Sequence, residues 1–237
     1  MRKSITWALV CMFVAVSLVA CGGGGGGGDS TPSTPIGTAV NLSVIKNFAE
    51  AKTQGNTMSF NLAGSSTSGS NFTAALSLAI SAPTNTTTPT GTQTVNVLVQ
   101  NATITNTSTG ATDSAVTYGY YYQTGYLFKI VHDDGTISTA TSQTLLPSSA
   151  KVGDFGNDMV VVNTDGSTET STWRIDAGTN GDALFVWAFT FRDSSNVETS
   201  TEEDSYTIKP DGSIAALSVK FYSSSTGYTI TLSGNRN

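Results

Sequence analysis

Between Met58 and Leu232, apolar side chains recur at every second residue, in short runs broken by turns rich in glycine, asparagine and aspartate. Neighbouring side chains on a strand point to opposite faces, so a row with period two is one face of a sheet. Met58, Phe60 and Leu62 make one such row, and Phe72, Ala74, Leu76, Leu78 and Ile80 a longer one. Val95, Val97 and Val99 continue the inward pattern, with Ile104 following a bulge. Tyr118, Tyr120 and Tyr122 share a face, and Phe128 and Ile130 sit on a strand ending at His132. The C-terminal part reads as a meander of about six strands. Its connections are Asn163-Thr164-Asp165-Gly166, Gly178-Thr179-Asn180-Gly181, Asp193-Ser194-Ser195-Asn196, Pro210-Asp211-Gly212 and Ser223 to Gly227. Asp-Gly and Asn-Gly pairs between alternating runs mark hairpins, because glycine takes positive φ freely.

One strand is apolar on both faces. Phe185, Trp187, Phe189 and Phe191 point one way, and Leu184, Val186 and Ala188 the other. Such a strand is expected to be central and covered on both sides. Short strands at this spacing predict an all-β fold, an antiparallel meander of about 11–12 strands closed into a barrel or packed as a two-sheet sandwich. The only helical candidate is Val44 to Lys52, which is short. Leu145-Leu146-Pro147 followed by Gly153-Asp154-Phe155-Gly156 reads as a crossing between two halves of a single domain over residues 38–237.

The first 37 residues are different in kind. Arg2 and Lys3 precede an apolar stretch from Ile5 to Ala20, then Cys21, then seven glycines, Gly22 to Gly28. A basic start, an apolar stretch and small residues at the cut make a secretory signal. Its 16 apolar residues fall short of the ~20 that span a bilayer, which argues against an uncleaved anchor. The run Leu18-Val19-Ala20-Cys21 resembles the lipobox of bacterial lipoprotein signal peptides, and the poly-glycine tract resembles the spacer of many proteobacterial lipoproteins. The mature part looks like the β-rich members of that group. The resemblance implies that residues 1–20 are removed and that Cys21 carries a diacylglycerol on sulfur and a further acyl chain, such as palmitate, on nitrogen. Gly22 in place of aspartate implies sorting to the outer membrane. Residues 21–37 then form the lipidated cysteine and a Gly/Ser/Thr/Pro tether.

Cys11 leaves with the signal and Cys21 carries lipid, so the mature domain has no disulfide and no cysteine metal site. About 200 residues suffice to bury a core without them. Removing Arg2 and Lys3 from 11 basic residues leaves 9 against 17 acidic ones, a net charge of −8. That argues against nucleic acid and against anionic headgroups as partners. No cofactor or metal is expected. The expected partners are the membrane, through the N-terminal lipid, and an envelope protein or glycan.

Four features are candidates for chemistry. Tyr118, Tyr120, Tyr122 and Tyr126, with Tyr121, pack five tyrosines into nine residues. Tyrosine offers an apolar face and a polar tip to a sugar or a partner protein, and Gly119 would let a ligand approach the backbone. His132-Asp133-Asp134-Gly135 holds the single histidine but reads first as a hairpin turn. Triad chemistry would need a serine and an orienting acid beside it. Glu202-Glu203-Asp204 is the densest acidic run; it reads as a solvated strand or loop rather than a calcium site. Trp173, Trp187 and the phenylalanine row fill a core, or line a cavity if the barrel is wide. The chain therefore reads as a membrane-anchored, non-enzymatic envelope lipoprotein that binds or supports something outside the cytoplasm. The alternatives are a hydrolase and a barrel carrying a small apolar ligand.

Overall fold

The computed structural model describes residues 33–237. Cys21, the signal segment and the start of the tether lie outside them. The chain forms β1 (Ala39–Asn41), α1 (Ser43–Ala49), β2 (Thr57–Ser66), β3 (Asn71–Ile80), β4 (Thr84–Thr88), β5 (Gly91–Asn106), β6 (Thr112–Tyr122), β7 (Leu127–His132) and β8 (Ile137–Gln143). It continues through β9 (Ser149–Lys151), β10 (Phe155–Asn163), β11 (Thr168–Ala177), β12 (Ala183–Arg192), β13 (Glu198–Ile208), β14 (Ile214–Ser223) and β15 (Thr229–Asn235).

Twelve of these strands close into one antiparallel up-and-down barrel. The wall runs β2, β3, β5, β6, β7, β8, β10, β11, β12, β13, β14, β15 and returns to β2. The short β4 pairs only with the first part of β5, beyond the point where β3 stops pairing with that strand. The predicted turns are in place: Gly135, Gly166, Gly181 and Gly212 all have positive φ. Closure between β2 and β15 demands two further glycines. A Cβ on Gly64 would run into the Thr231 carbonyl, and one on Gly234 into the Asn61 carbonyl.

The inner face carries the expected rows of β2, β3, β12, β14 and β15. Phe60, Phe185, Phe189 and Tyr206 are fully buried. Ring centroids of Phe185 and Trp187 lie 5.7 Å apart edge to face, and Phe60 meets Tyr206 at 6.2 Å. This aromatic centre is where the sequence placed it. Outside, the walls of β2, β11, β13 and β15 present threonine, serine and charged residues such as Thr57, Thr170, Glu203 and Thr231. That is the inverse of a bilayer-spanning barrel, which turns apolar residues outward. Among the described residues no helix is long and apolar enough to cross a membrane.

Five expectations are corrected. On β5, Val95, Val97 and Val99 face outward, opposite Tyr122, Tyr120 and Tyr118, while Leu98, Gln100, Ala102 and Ile104 face the core without a bulge. Glu202 and Asp204 are buried inside the barrel, and only Glu203 between them points out. The segment 144–154 is not a crossing between halves. It leaves the wall after β8, pairs with β1 through β9, and returns beside β8 as β10. Among the described residues no second layer covers β12; Val186 and Ala188 are buried on the outside, where the Arg174–Glu203 ion pair spans them. Finally, Ser33 and Thr34, expected as tether, are already held on the barrel. Ser33 pairs with Thr179, and the buried Thr34 hydroxyl donates to the Asp182 carbonyl.

Helix α1 is the structural surprise. It has seven residues, too few to be stable alone. Burial holds it: Ile45, Phe48 and Ala49, at i, i+3 and i+4, turn one face into the barrel mouth. Its end is pinned electrostatically. Glu50, 1% exposed, accepts ion pairs from Lys46 and Lys52, and Lys46 also donates to the Leu146 carbonyl. Ala51, buried with φ 47°, then turns the chain into the wall.

Candidate functional site

The outer surface of β5, β6 and β7 is unlike the rest of the wall. Cross-strand register sets Val95 against Tyr122, Val97 against Tyr120 and Val99 against Tyr118. Val95 and Val97 are buried although they face outward, lying as a floor among the tyrosines. Next, β7 brings Lys129 opposite Tyr120 and Val131 opposite Tyr118. A bulge at Tyr120/Tyr121 makes Phe128 the extra residue and turns it outward, where its ring meets Tyr122 at 5.7 Å. The Lys129 ammonium sits 4.9 Å from the Tyr120 ring centre and 5.6 Å from that of Phe128, within cation–π range. Tyr126 stands across the hairpin from Tyr122, whose amide donates to its carbonyl at 2.9 Å. Tyr118 and Tyr126 are 40% and 44% exposed, while Tyr120 and Tyr122 are half-buried. The four predicted tyrosines therefore share one outer face. The fifth, Tyr121, points inside and lies across Gly119, where any side chain would collide with its ring. Gly119 makes room for Tyr121, not for a ligand.

The second cluster is internal. A bulge between Asn157 and Val160 sets two residues, Asp158 and Met159, opposite Ser171 and turns both inward. Asp158 accepts hydrogen bonds from Ser171 Oγ at 2.7 Å and from Trp187 Nε1 at 3.0 Å. Glu169 of β11 and Glu202 and Asp204 of β13 complete a set of four buried carboxyls. Burial raises Asp158 to about 6, with its two hydrogen bonds resisting and Glu50 adding to the rise. Glu169, Glu202 and Asp204 are pushed well above the usual range, first by burial and for Glu202 also by Asp204 and Glu169. Tyr121 and Tyr206 are pushed up by burial and by the same acids. With no cation among them, Glu202 and Asp204 are stable as neighbours only by holding a proton. Among the described residues, no three histidine, cysteine, aspartate or glutamate side chains are grouped so as to hold a metal ion.

The remaining candidates resolve differently. His132 ends β7 and the 133–136 turn follows, as the hairpin reading expects. His132 Nε2 lies 2.8 Å from Ser138 Oγ, a pair that superficially resembles nucleophile and base. But Ser138 donates to Asn163 Oδ1, Asn163 Nδ2 donates to Ser167 Oγ, and Ser167 donates to Asp165. Ser138 thus takes its second bond from the imidazole N–H, so His132 cannot accept its proton, and Ser138 is fully buried. This is a strand-to-strand lock rather than a triad. Trp173 and Trp187 pack in the core. The gap left between α1 and the residues Met58, Leu78, Leu98, Trp187 and Tyr206 has ≈ 10 Å³ for the centre of a water-sized molecule, about one water. Cys21 lies outside the described residues.

No family model matches this chain, and no curated protein matches it. Among solved structures, a LolA superfamily protein from Nitrosomonas europaea aligns over 84% of this chain and 92% of its own at 6% identity, with a TM-score of 0.16. A likeness at that level transfers neither fold nor activity.

Proposed function

We propose that the chain is a lipid-tethered, non-enzymatic binding module of the cell envelope whose working surface is the outer tyrosine face. The observation that carries this reading is the contrast around the wall. Tyr118, Tyr120, Tyr122 and Tyr126 over a valine floor, with Phe128 and Lys129 beside them, form an aromatic patch, whereas β2, β11, β13 and β15 are polar on their outer faces. Partly exposed rings joined to buried apolar neighbours are the usual make-up of a recognition surface. The partner fitted by such a surface is an envelope glycan or protein: the rings stack on apolar faces and the phenol tips accept or donate hydrogen bonds. The carrier alternative draws on α1, a seven-residue plug over an apolar mouth, beneath which the gap has room for about one water. The hydrolase alternative would have to draw on the four buried carboxyls, since His132 is held in the lock, and those carboxyls are sealed inside the barrel.

The test is retention on isolated peptidoglycan and on an envelope-protein column, comparing the natural chain with Tyr118→Ala/Tyr126→Ala. These are the two most exposed rings of the patch, so the fold should tolerate their loss. At least tenfold weaker retention on one matrix supports the reading, and equal retention on both removes it. Lipidation is tested separately: Cys21→Ser should move the protein out of the membrane fraction.

A further inference from the structure

We propose that the end of the barrel carrying Ile36 and Phe155 lies against the membrane surface, with both side chains in the interfacial layer of the bilayer. The proposal rests on the tethered reading above and adds an orientation to it. Ile36 and Phe155 are the two most exposed large apolar residues described, at 87% and 82%. They belong to one corner. Ile36 Cγ2 lies 3.4 Å from the position a Cβ on Gly153 would occupy, and Phe155 follows Gly153 by two residues.

That corner is built, not frayed. The Gly37 amide donates to the Val152 carbonyl at 2.8 Å and the Val152 amide to the Thr38 carbonyl at 2.9 Å. The Gly153 amide donates to the Ile175 carbonyl at 2.8 Å. A corner fixed by three segments of backbone holds two apolar side chains in water, at a cost that burial elsewhere would remove.

The chain's own course names the occupant. Ser33 enters the structure at this same end, pairing with Thr179 of the β11–β12 turn. Eleven residues, 22–32, separate it from Cys21, a reach of at most ~40 Å when fully extended. A flexible tether of that length has a mean reach of only ~17–20 Å, shorter than a ten-residue wall strand of ~33 Å, so on average the Ile36–Phe155 end lies nearest the lipid. Near the corner Lys151 is balanced by Asp154, so apolar contact rather than charge would hold it at an uncharged lipid surface.

The mature chain has no free thiol once Cys21 is acylated, so one added cysteine takes one label. The experiment uses the full lipidated chain in phosphatidylcholine vesicles with an environment-sensitive fluorophore at Ile36→Cys, Phe155→Cys or Val197→Cys. Val197 is 59% exposed in the β12–β13 turn at the far end of the barrel. Headgroup-region spin-labelled lipid should quench the labels at 36 and 155 at least twofold and shift their emission to the blue, leaving the label at 197 unchanged. Equal quenching at 155 and 197 overturns the orientation while the tether stands. Failure of every variant to stay with the vesicles overturns the tethered reading, and the orientation with it.

Discussion

The walls β5–β7 and β11–β13 of this barrel follow the same alternation to opposite ends. In the first, the residues that look like core, Val95, Val97 and Val99, face out and join a tyrosine surface. In the second, the residues that look like surface, Glu169, Glu202 and Asp204, face in and are sealed among aromatic rings. Period two fixes which residues share a face. It does not fix which face is buried; that is decided by the neighbouring strands. The first wall places its apolar residues on the outer surface. The second buries carboxyls that a purely structural core would replace with leucine or valine, which makes its stability depend on protons.

That dependence gives the largest predicted effect. The folded barrel keeps protons on Asp158, Glu169, Glu202 and Asp204 that the unfolded chain releases above about pH 4. Unfolding free energy therefore falls as pH rises. The stabilisation is fully present at and below the carboxylate range of the unfolded chain. It is lost as pH climbs through about 6 for Asp158 and higher for the other three. The rise of Asp158 from 3.8 to about 6 corresponds alone to ~3 kcal/mol. Urea unfolding should show a barrel markedly more stable at pH 5 than at pH 8. The double variant Glu202→Gln/Asp204→Asn should flatten that profile, and an unchanged profile would mean these acids are not sealed inside.

Next in size is Trp187→Ala. Its ring lies between Phe185 and Phe189, and its N–H serves Asp158. Loss of burial plus the cavity should cost ~3–5 kcal/mol, read as a lower midpoint in thermal or urea unfolding. At the β2–β15 seam, Gly234→Ala must push the Asn61 carbonyl away. Strain of ~1–3 kcal/mol should appear together with faster amide exchange in β2 and β15 than in β12. Smallest is Tyr118→Ala/Tyr126→Ala, whose exposed rings should change stability by no more than ~1 kcal/mol. A large loss there would make the tyrosine wall structural and erase the contrast between the two walls.

Much of the architecture was legible because turns and alternation are local. The Asn-Thr-Asp-Gly and Pro-Asp-Gly connections and the inward rows of β2, β3 and β12 need no tertiary knowledge. What escaped depended on neighbours. Glu202 and Asp204 could have been found by carrying the row Ile208, Tyr206 back two residues at a time, but acidity argued for solvent. Asp158 is turned inward by a bulge that its own sequence does not announce. The Val95–Val99 row lost its place in the core because Leu98, Gln100 and Ala102 occupy the other face, where a glutamine disguised the pattern. Ile45, Phe48 and Ala49 carried the spacing of an amphipathic helix, but seven residues persist as one only where a barrel mouth receives them.

The claim that the tyrosine wall is the working face is tested most directly by photocross-linking in living cells. A photoreactive phenylalanine analogue would replace Tyr118 on the aromatic wall or Thr231 on the polar outer face of β15. The account predicts discrete higher-mass adducts from position 118 that vanish in a Tyr120→Ala/Tyr122→Ala background, with none from position 231. Matching adducts from both positions, or adducts from 231 alone, would contradict it.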